Sequence, residues 1–340
     1  MKPVFLIGSG RSGTTFIQRV FDSHPDTLCL HEPDSIRRTT NPPFTPFEED
    51  YDDLKEATAH YVAELMTVRG LRAVSKRPFF RKSYRGPVRE ALRACVLTAM
   101  NGLDVTLGRI VNMSATPVPD FADTSGVMTV LKSVECLSRL PLIARACPDV
   151  QVVHILRHPC GFVASQLRGR ELGKMPQRQM FPERLKLPIA RKHGLTVEKL
   201  EAMEPVERMA WGWTISNDTA LTLSEGLPNV QRLVYDALCD NLLRDARALL
   251  EGCGLEWHRQ VEEFLEFILG QGQDNREYFS VVRNPRDAAH HWRETMPKDQ
   301  VDKIMAIATL SPAGRIFADY DRTFSHAPSS TPNSEHEKSA

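Results

Sequence analysis

Short apolar runs alternate along this chain with longer stretches in which apolar residues return every three or four positions. The runs Val4–Ile7, Thr27–Leu30, Val127–Leu131, Val152–Leu156 and Val230–Val234 have the length and β-branched content of buried strands. Between them the helical period predicts Thr14–Ser23, Leu54–Val68, Arg89–Leu97, Ser138–Ala146, Gly161–Arg168, Val206–Ser224, Leu242–Cys253, Trp257–Leu269 and Lys298–Ala308. Strands alternating with helices imply an α/β fold in three layers, a central parallel sheet with helices on both faces. The segments at about 37–126 and 170–204 are long for crossovers and are expected to be helical insertions. The second is basic and broken by Pro176, Pro182 and Pro188, which suits an exposed, mobile lid. Residues 1–324 read as one domain, and the polar 325–340 as a disordered tail with nothing to bury.

Composition adds limits. With 41% hydrophobic and 25% charged residues among 340, the chain is ordinary globular material. Forty-three Lys and Arg balance 43 Asp and Glu, so overall charge favours neither nucleic acid nor membrane. Charge is patterned locally instead. Arg69–Arg93 holds nine cations against Glu90, and Arg157–Lys192 holds nine against Glu171 and Glu183; the plain reading of each run is a solvated face. Seven cysteines without a C-x-x-C pair fit reduced thiols in a cytoplasmic protein. No run approaches the roughly 20 apolar residues of a membrane span, and the first strand follows the N-terminus directly, so no signal peptide is expected.

The chemistry concentrates where strands end. Val4–Ile7 runs into Gly8-Ser-Gly10-Arg11-Ser12-Gly13-Thr14-Thr15 and then a helix, the P-loop-like arrangement in which backbone N–H groups cradle phosphate. The lysine of a nucleotide-kinase P-loop is replaced by Thr14, and the loop carries Arg11. The other strands deliver Glu32, Lys132, Arg157 and Tyr235-Asp236 to the rim where parallel sheets bind ligands. A Mg²⁺-dependent phosphotransferase needs a metal-holding acid there, and only Asp236 qualifies; the mainly cationic ends suit an anionic donor handled without metal. Glu32, alone among cations, is the candidate general base, with His31 and Glu135 as alternatives; Lys76 rivals Lys132.

These residues resemble sulfotransferases that use 3′-phosphoadenosine-5′-phosphosulfate (PAPS). Arg11-Ser-Gly-Thr-Thr15 is similar to that family's 5′-phosphosulfate loop, and Arg157-His-Pro through Ser165 to its 3′-phosphate motif. Val-Tyr235-Asp-Ala-Leu and the stretch from Val281-Val-Arg283 to Trp292-Arg-Glu resemble looser segments that flank and close over the nucleotide. A histidine close after the lysine, usual in the phenol and steroid branch, is missing after Lys132. The chain looks more like the tyrosyl-protein and carbohydrate branch, in a soluble, bacterial type. The resemblance implies in-line sulfuryl transfer to a hydroxyl acceptor (carbohydrate, peptide or small metabolite) with no metal. Glu32, Lys132 and Arg11 would be catalytic. Gly10, Arg11, Ser12, Gly13, Thr14, Thr15, Arg157, Ser165, Tyr235 and Arg283 would hold the nucleotide. The alternatives are an ATP-dependent P-loop kinase and a non-catalytic nucleotide-binding protein.

Overall fold

The computed structural model describes residues 1–107, 113–173, 182–270 and 284–325. Five strands, β1 (Val4–Gly8), β2 (Thr27–His31), β3 (Met128–Ser133), β4 (Gln151–Leu156) and β5 (Val230–Val234), form one parallel sheet in the order β2-β3-β1-β4-β5. All five expected strands are present, with ends shifted by at most two residues. Strand β1 shows why an unbroken apolar run was a sound signal. Val4 and Leu6 point into one core cluster and Phe5 and Ile7 into another, so both faces of the strand are buried.

The first cluster packs the sheet against α1 (Thr14–Ser23) and the helices Leu242–Gly252 and Arg259–Leu269. The second packs the opposite face against Tyr51–Thr67, Leu140–Ala146 and Leu97 of Pro87–Leu107. The result is the three-layer arrangement expected. The chain winds from β1 outward to β2, returns through β3 beside β1, and then crosses to β4 on the other side. The crevice between β1 and β4 is therefore the point where the winding reverses.

Three expectations change. Pro87–Leu107 runs well beyond the expected Arg89–Leu97. The helices Tyr235–Asp240 and Pro312–Ser325 were not foreseen, and the second carries regular structure one residue into the stretch read as tail. The rest of that tail lies outside the described residues. The described part of the expected lid is packed: Leu187, Ile189, Ala190, Leu195 and Leu200 form a cluster with Trp211 and Ile215. Sparse leucines and isoleucines among many charges were enough to anchor it.

Candidate functional site

Along the rim formed by the strands' carboxyl ends, Glu32, Lys132, the Gly8–Thr15 loop, Arg157 and Tyr235 follow the sheet order from β2 to β5. The loop is held tightly. A Cβ at Gly8 would lie 2.6 Å from the Ile155 carbonyl oxygen, and one at Gly13 would run into the Tyr235 ring. Gly13 also has φ of 82°, and Arg11 a φ of 75°, both left-handed; only the glycine adopts this without cost. Ser12 closes the turn by donating its N–H and hydroxyl to the Ser9 carbonyl, at 3.1 and 2.6 Å. A Cβ at Gly10 would meet nothing within 4 Å, so the space above the loop is open. The helix α1 then begins at Thr14, and a helix's first N–H groups have no acceptor within the helix.

Arg157 crosses from β4 to this loop. Its two terminal nitrogens donate to the carbonyls of Arg11 and Ala288, each at 2.8 Å, and its guanidinium lies 5.7 Å from the Tyr235 ring centre. Its Nε is buried with no partner among the described residues. Gly161 is needed below it, because a Cβ there would lie 3.1 Å from that Nε and 3.1 Å from Trp292. Arg11 reaches from the loop to donate its Nε–H to the Ser165 hydroxyl at 3.0 Å. The two sequence motifs, 5′ loop and 3′ segment, therefore touch directly.

On the other side of the loop, Glu32 Oε1 accepts from Lys132 Nζ at 2.6 Å and Oε2 from Arg72 at 3.2 Å. Glu32 has φ of 47° and donates its N–H to the Lys132 carbonyl at 2.8 Å, which brings the strand ends together. Burial raises the Glu32 carboxyl, but the charge and hydrogen bond of Lys132, with the Arg72 hydrogen bond, outweigh it and bring it down to about 2. The carboxylate is ionised, and doubly bound. Lys132 is 1% exposed, and burial lowers its pKa despite Glu32.

The remaining candidates fall into place around these. His31 is buried, bonded through Nδ1 to Gln18 at 2.7 Å, and shifted well below its usual range by burial and then by Lys132, so it is a neutral packed residue. Glu135 is exposed. Asp236 is fully buried and accepts from the His158 backbone N–H at 2.7 Å, which fixes the chain after Arg157. Arg283 lies outside the described residues, as does Arg178 of the expected lid. Sequence reasoning missed Arg72, whose role depends on a partner forty residues away. It also missed the brace behind Arg157, where His158 stacks on Trp292 at 4.3 Å and contacts Asp321 at 3.1 Å. The Trp213 indole adds a hydrogen bond to the Arg157 carbonyl at 3.1 Å.

Comparison with known proteins follows the same lines. The family model described as "Sulfotransferase family" matches residues 3–259. Carbohydrate sulfotransferase 2 from Homo sapiens and from Mus musculus are each 24% identical over 180 residues, 48% of this chain and 34% of theirs, so the match spans about a third of those relatives. Among solved structures, the sulfotransferase domain of the Synechococcus PCC 7002 olefin synthase is 14% identical with a TM-score of 0.42, covering 90% of this chain and 94% of that one. A mouse sulfotransferase complexed with PAP is 11% identical with a TM-score of 0.42, covering 94% and 89%.

Proposed function

The chain belongs to the sulfotransferase family, and from that premise we propose that it moves the sulfuryl group of PAPS to a hydroxyl acceptor, with Glu32 as general base. The observation that carries this reading is the order of groups along the rim. Phosphate-directed groups (Tyr235, Arg157, the Gly8–Thr15 loop) lie on one side, and the Lys132–Glu32 pair on the other. A donor lying over β1 and β4 would present its sulfuryl group toward Lys132, and the acceptor hydroxyl would enter from the β2 side.

The residues fit such a donor. The Arg157 Nε–H lacks a partner among the described residues, and the hollow over Gly10 is open. Arg157 and Ser165 would take the 3′-phosphate, and Gly10–Thr15 the 5′-phosphosulfate. Glu32 accepts the hydroxyl proton as the acceptor oxygen forms its bond to sulfur. The bond from sulfur to the bridging oxygen breaks, and Lys132 and Arg11 stabilise the charge left on the departing nucleotide. Lys132 has three N–H donors, so it can hold Glu32 and the bridging oxygen together. Asp236, the acid a kinase would use for metal, is fully buried and gives Oδ2 to the His158 backbone N–H, while its Oδ1 has no hydrogen bond among the described residues.

We read residues 1–324 as one catalytic unit, since four core clusters share the helix Pro205–Leu223 and the cluster around α1 packs on the same sheet. A cytoplasmic setting accords with seven free cysteines; no helix among the described residues is long and apolar enough to cross a membrane. The test is binding and turnover. Adenosine 3′,5′-bisphosphate (PAP) should stabilise the fold without Mg²⁺, by about 2.7 kcal/mol at one hundred times its dissociation constant. Radiolabelled sulfate should leave PAPS when an acceptor is supplied. A thermal shift with ATP and Mg²⁺ but none with PAP would overturn the reading.

A further inference from the structure

The basic run Arg69–Arg93 does not simply face solvent. It folds back over α1 and β2, and between them lies a cleft whose walls include Gln18, Arg19, Lys76, Phe80, Lys82 and Arg93. Two of its wall residues connect it to the Glu32–Lys132 pair. Gln18 holds His31, the neighbour of Glu32, at 2.7 Å, and Ala73 follows Arg72, which reaches Glu32 at 3.2 Å. The cleft is cationic: Arg19, Lys76, Lys82, Arg85 and Arg93 outnumber Asp22 and Glu90.

Most of these charges are engaged. Arg19 pairs with Asp22 and donates to the Pro78 carbonyl. Lys82 lies 3.0 Å from the other Asp22 oxygen and donates to the carbonyls of Asp22 and His24. Arg85 pairs with Glu90 at 3.3 Å. Arg93 differs. It is 7% exposed and makes no hydrogen bond among the described residues. Its nearest carboxylate oxygen, Asp120 Oδ1, is 4.0 Å away and has no hydrogen bond among the described residues, while Oδ2 pairs with Arg69 at 2.6 Å; Glu90 and Asp22 act on it through charge. Burial, and then the Arg85 charge, lower the Arg93 pKa. Leaving a buried guanidinium with one loosely placed carboxylate oxygen and no hydrogen bond is costly, and an anion with two oxygens is a partner its fork fits. Lys76, an exposed residue of the same cleft, has no hydrogen bond or ion pair among the described residues, and senses Lys132 and Glu32 electrostatically.

We propose that this cleft is an anion subsite for the acceptor: Arg93 and Lys76 bind a carboxylate or sulfate ester on the acceptor while its hydroxyl is offered to Glu32. The proposal rests on the sulfotransferase reading for the word acceptor, but the subsite itself is testable apart from it. With PAP saturating the donor site, glucuronic acid, glucose 6-sulfate and neutral glucose are titrated into the full chain by calorimetry. At least one anionic sugar should bind about tenfold or more tighter than glucose, a difference of about 1.4 kcal/mol, and which one does distinguishes carboxylate from sulfate. Arg93→Gln should weaken that binding by about tenfold and leave PAP affinity within about twofold. Lys76→Gln, at an exposed position, should weaken it in the same direction and guards against misfolding of the buried variant. Equal affinity for all three sugars, or anion binding unchanged in both variants, overturns the subsite. If PAP itself fails to bind, the donor reading falls, and the same titrations without PAP still decide the cleft.

Discussion

Glu32 sits in a backbone conformation that non-glycine residues seldom adopt, with φ of 47°, and a proline follows it. Such residues cluster at functional sites because surrounding structure must hold them there. Here the backbone bond to Lys132 and the two ion pairs do so. In this arrangement the carboxylate is a weak base, so in the proposed reaction its partners would have to share their hydrogen bonds with substrates before it takes a proton. Glu32→Gln should therefore lower turnover by at least about two orders of magnitude while PAP affinity changes little. Arg72→Gln should retain most turnover, because it removes only the outer, half-exposed ion pair and keeps the carboxylate. Single-turnover kinetics on both variants checks this; wild-type turnover in Glu32→Gln would place the base elsewhere. The positions of Glu32 and Lys132 were legible in the sequence because both lie within two residues of the end of a predicted strand. Arg72 was not, since only the folding of the basic run over β2 brings it near.

Among elements, the strands were the most legible, because burial on both faces writes a continuous apolar run. His154 interrupts that run within β4, and its ring is buried, with Nε2 3.3 Å from the Asn217 oxygen and Nδ1 unpartnered among the described residues. Burial lowers it from 6.5 to about 4, only partly offset by Asn217. Between those values the unfolded chain binds a proton that the folded chain refuses, so this group makes stability rise with pH and flatten above the unfolded value. Asp34, raised by burial to about 6, acts with the opposite sign in the same window. The useful comparison is therefore wild type against His154→Gln by chemical denaturation at a series of pH values. The wild type should lose on the order of 3 kcal/mol more than the variant between about pH 7 and 4. Parallel curves would show that His154 does not titrate in this way. The helix Pro312–Ser325 was harder to see for a related reason. Ala313, Ile316, Phe317 and Tyr320 do repeat at helical spacing, but they are few and lie among Arg315, Asp319, Asp321 and Arg322.

At the scale of the whole molecule, the helix Pro312–Ser325 packs behind Arg157, on the side of the rim proposed to hold the donor. Phe317 is fully buried against Trp213, Leu156 and the His158 ring. Asp321 contacts His158 at 3.1 Å and Arg293 at 2.5 Å, while Tyr320 shares Asp240 with His290. Arg157 precedes His158, so anything that lets His158 move lets the proposed 3′-phosphate anchor move too. Two substitutions separate packing from positioning. Phe317→Ala should cost about 3–5 kcal/mol of global stability, as removal of a large core ring does elsewhere. Asp321→Asn keeps the volume and removes the charge that orients His158 and Arg293. It should weaken PAP binding by about three- to tenfold at temperatures where the variant is fully folded, a loss of about 0.7–1.4 kcal/mol. Unfolding curves and PAP titrations on the same samples read both effects. If Asp321→Asn lowers the melting temperature but leaves PAP affinity untouched, the helix serves stability alone, and the orientation of Arg157 rests on Asp236, Trp213 and the Arg11 carbonyl instead.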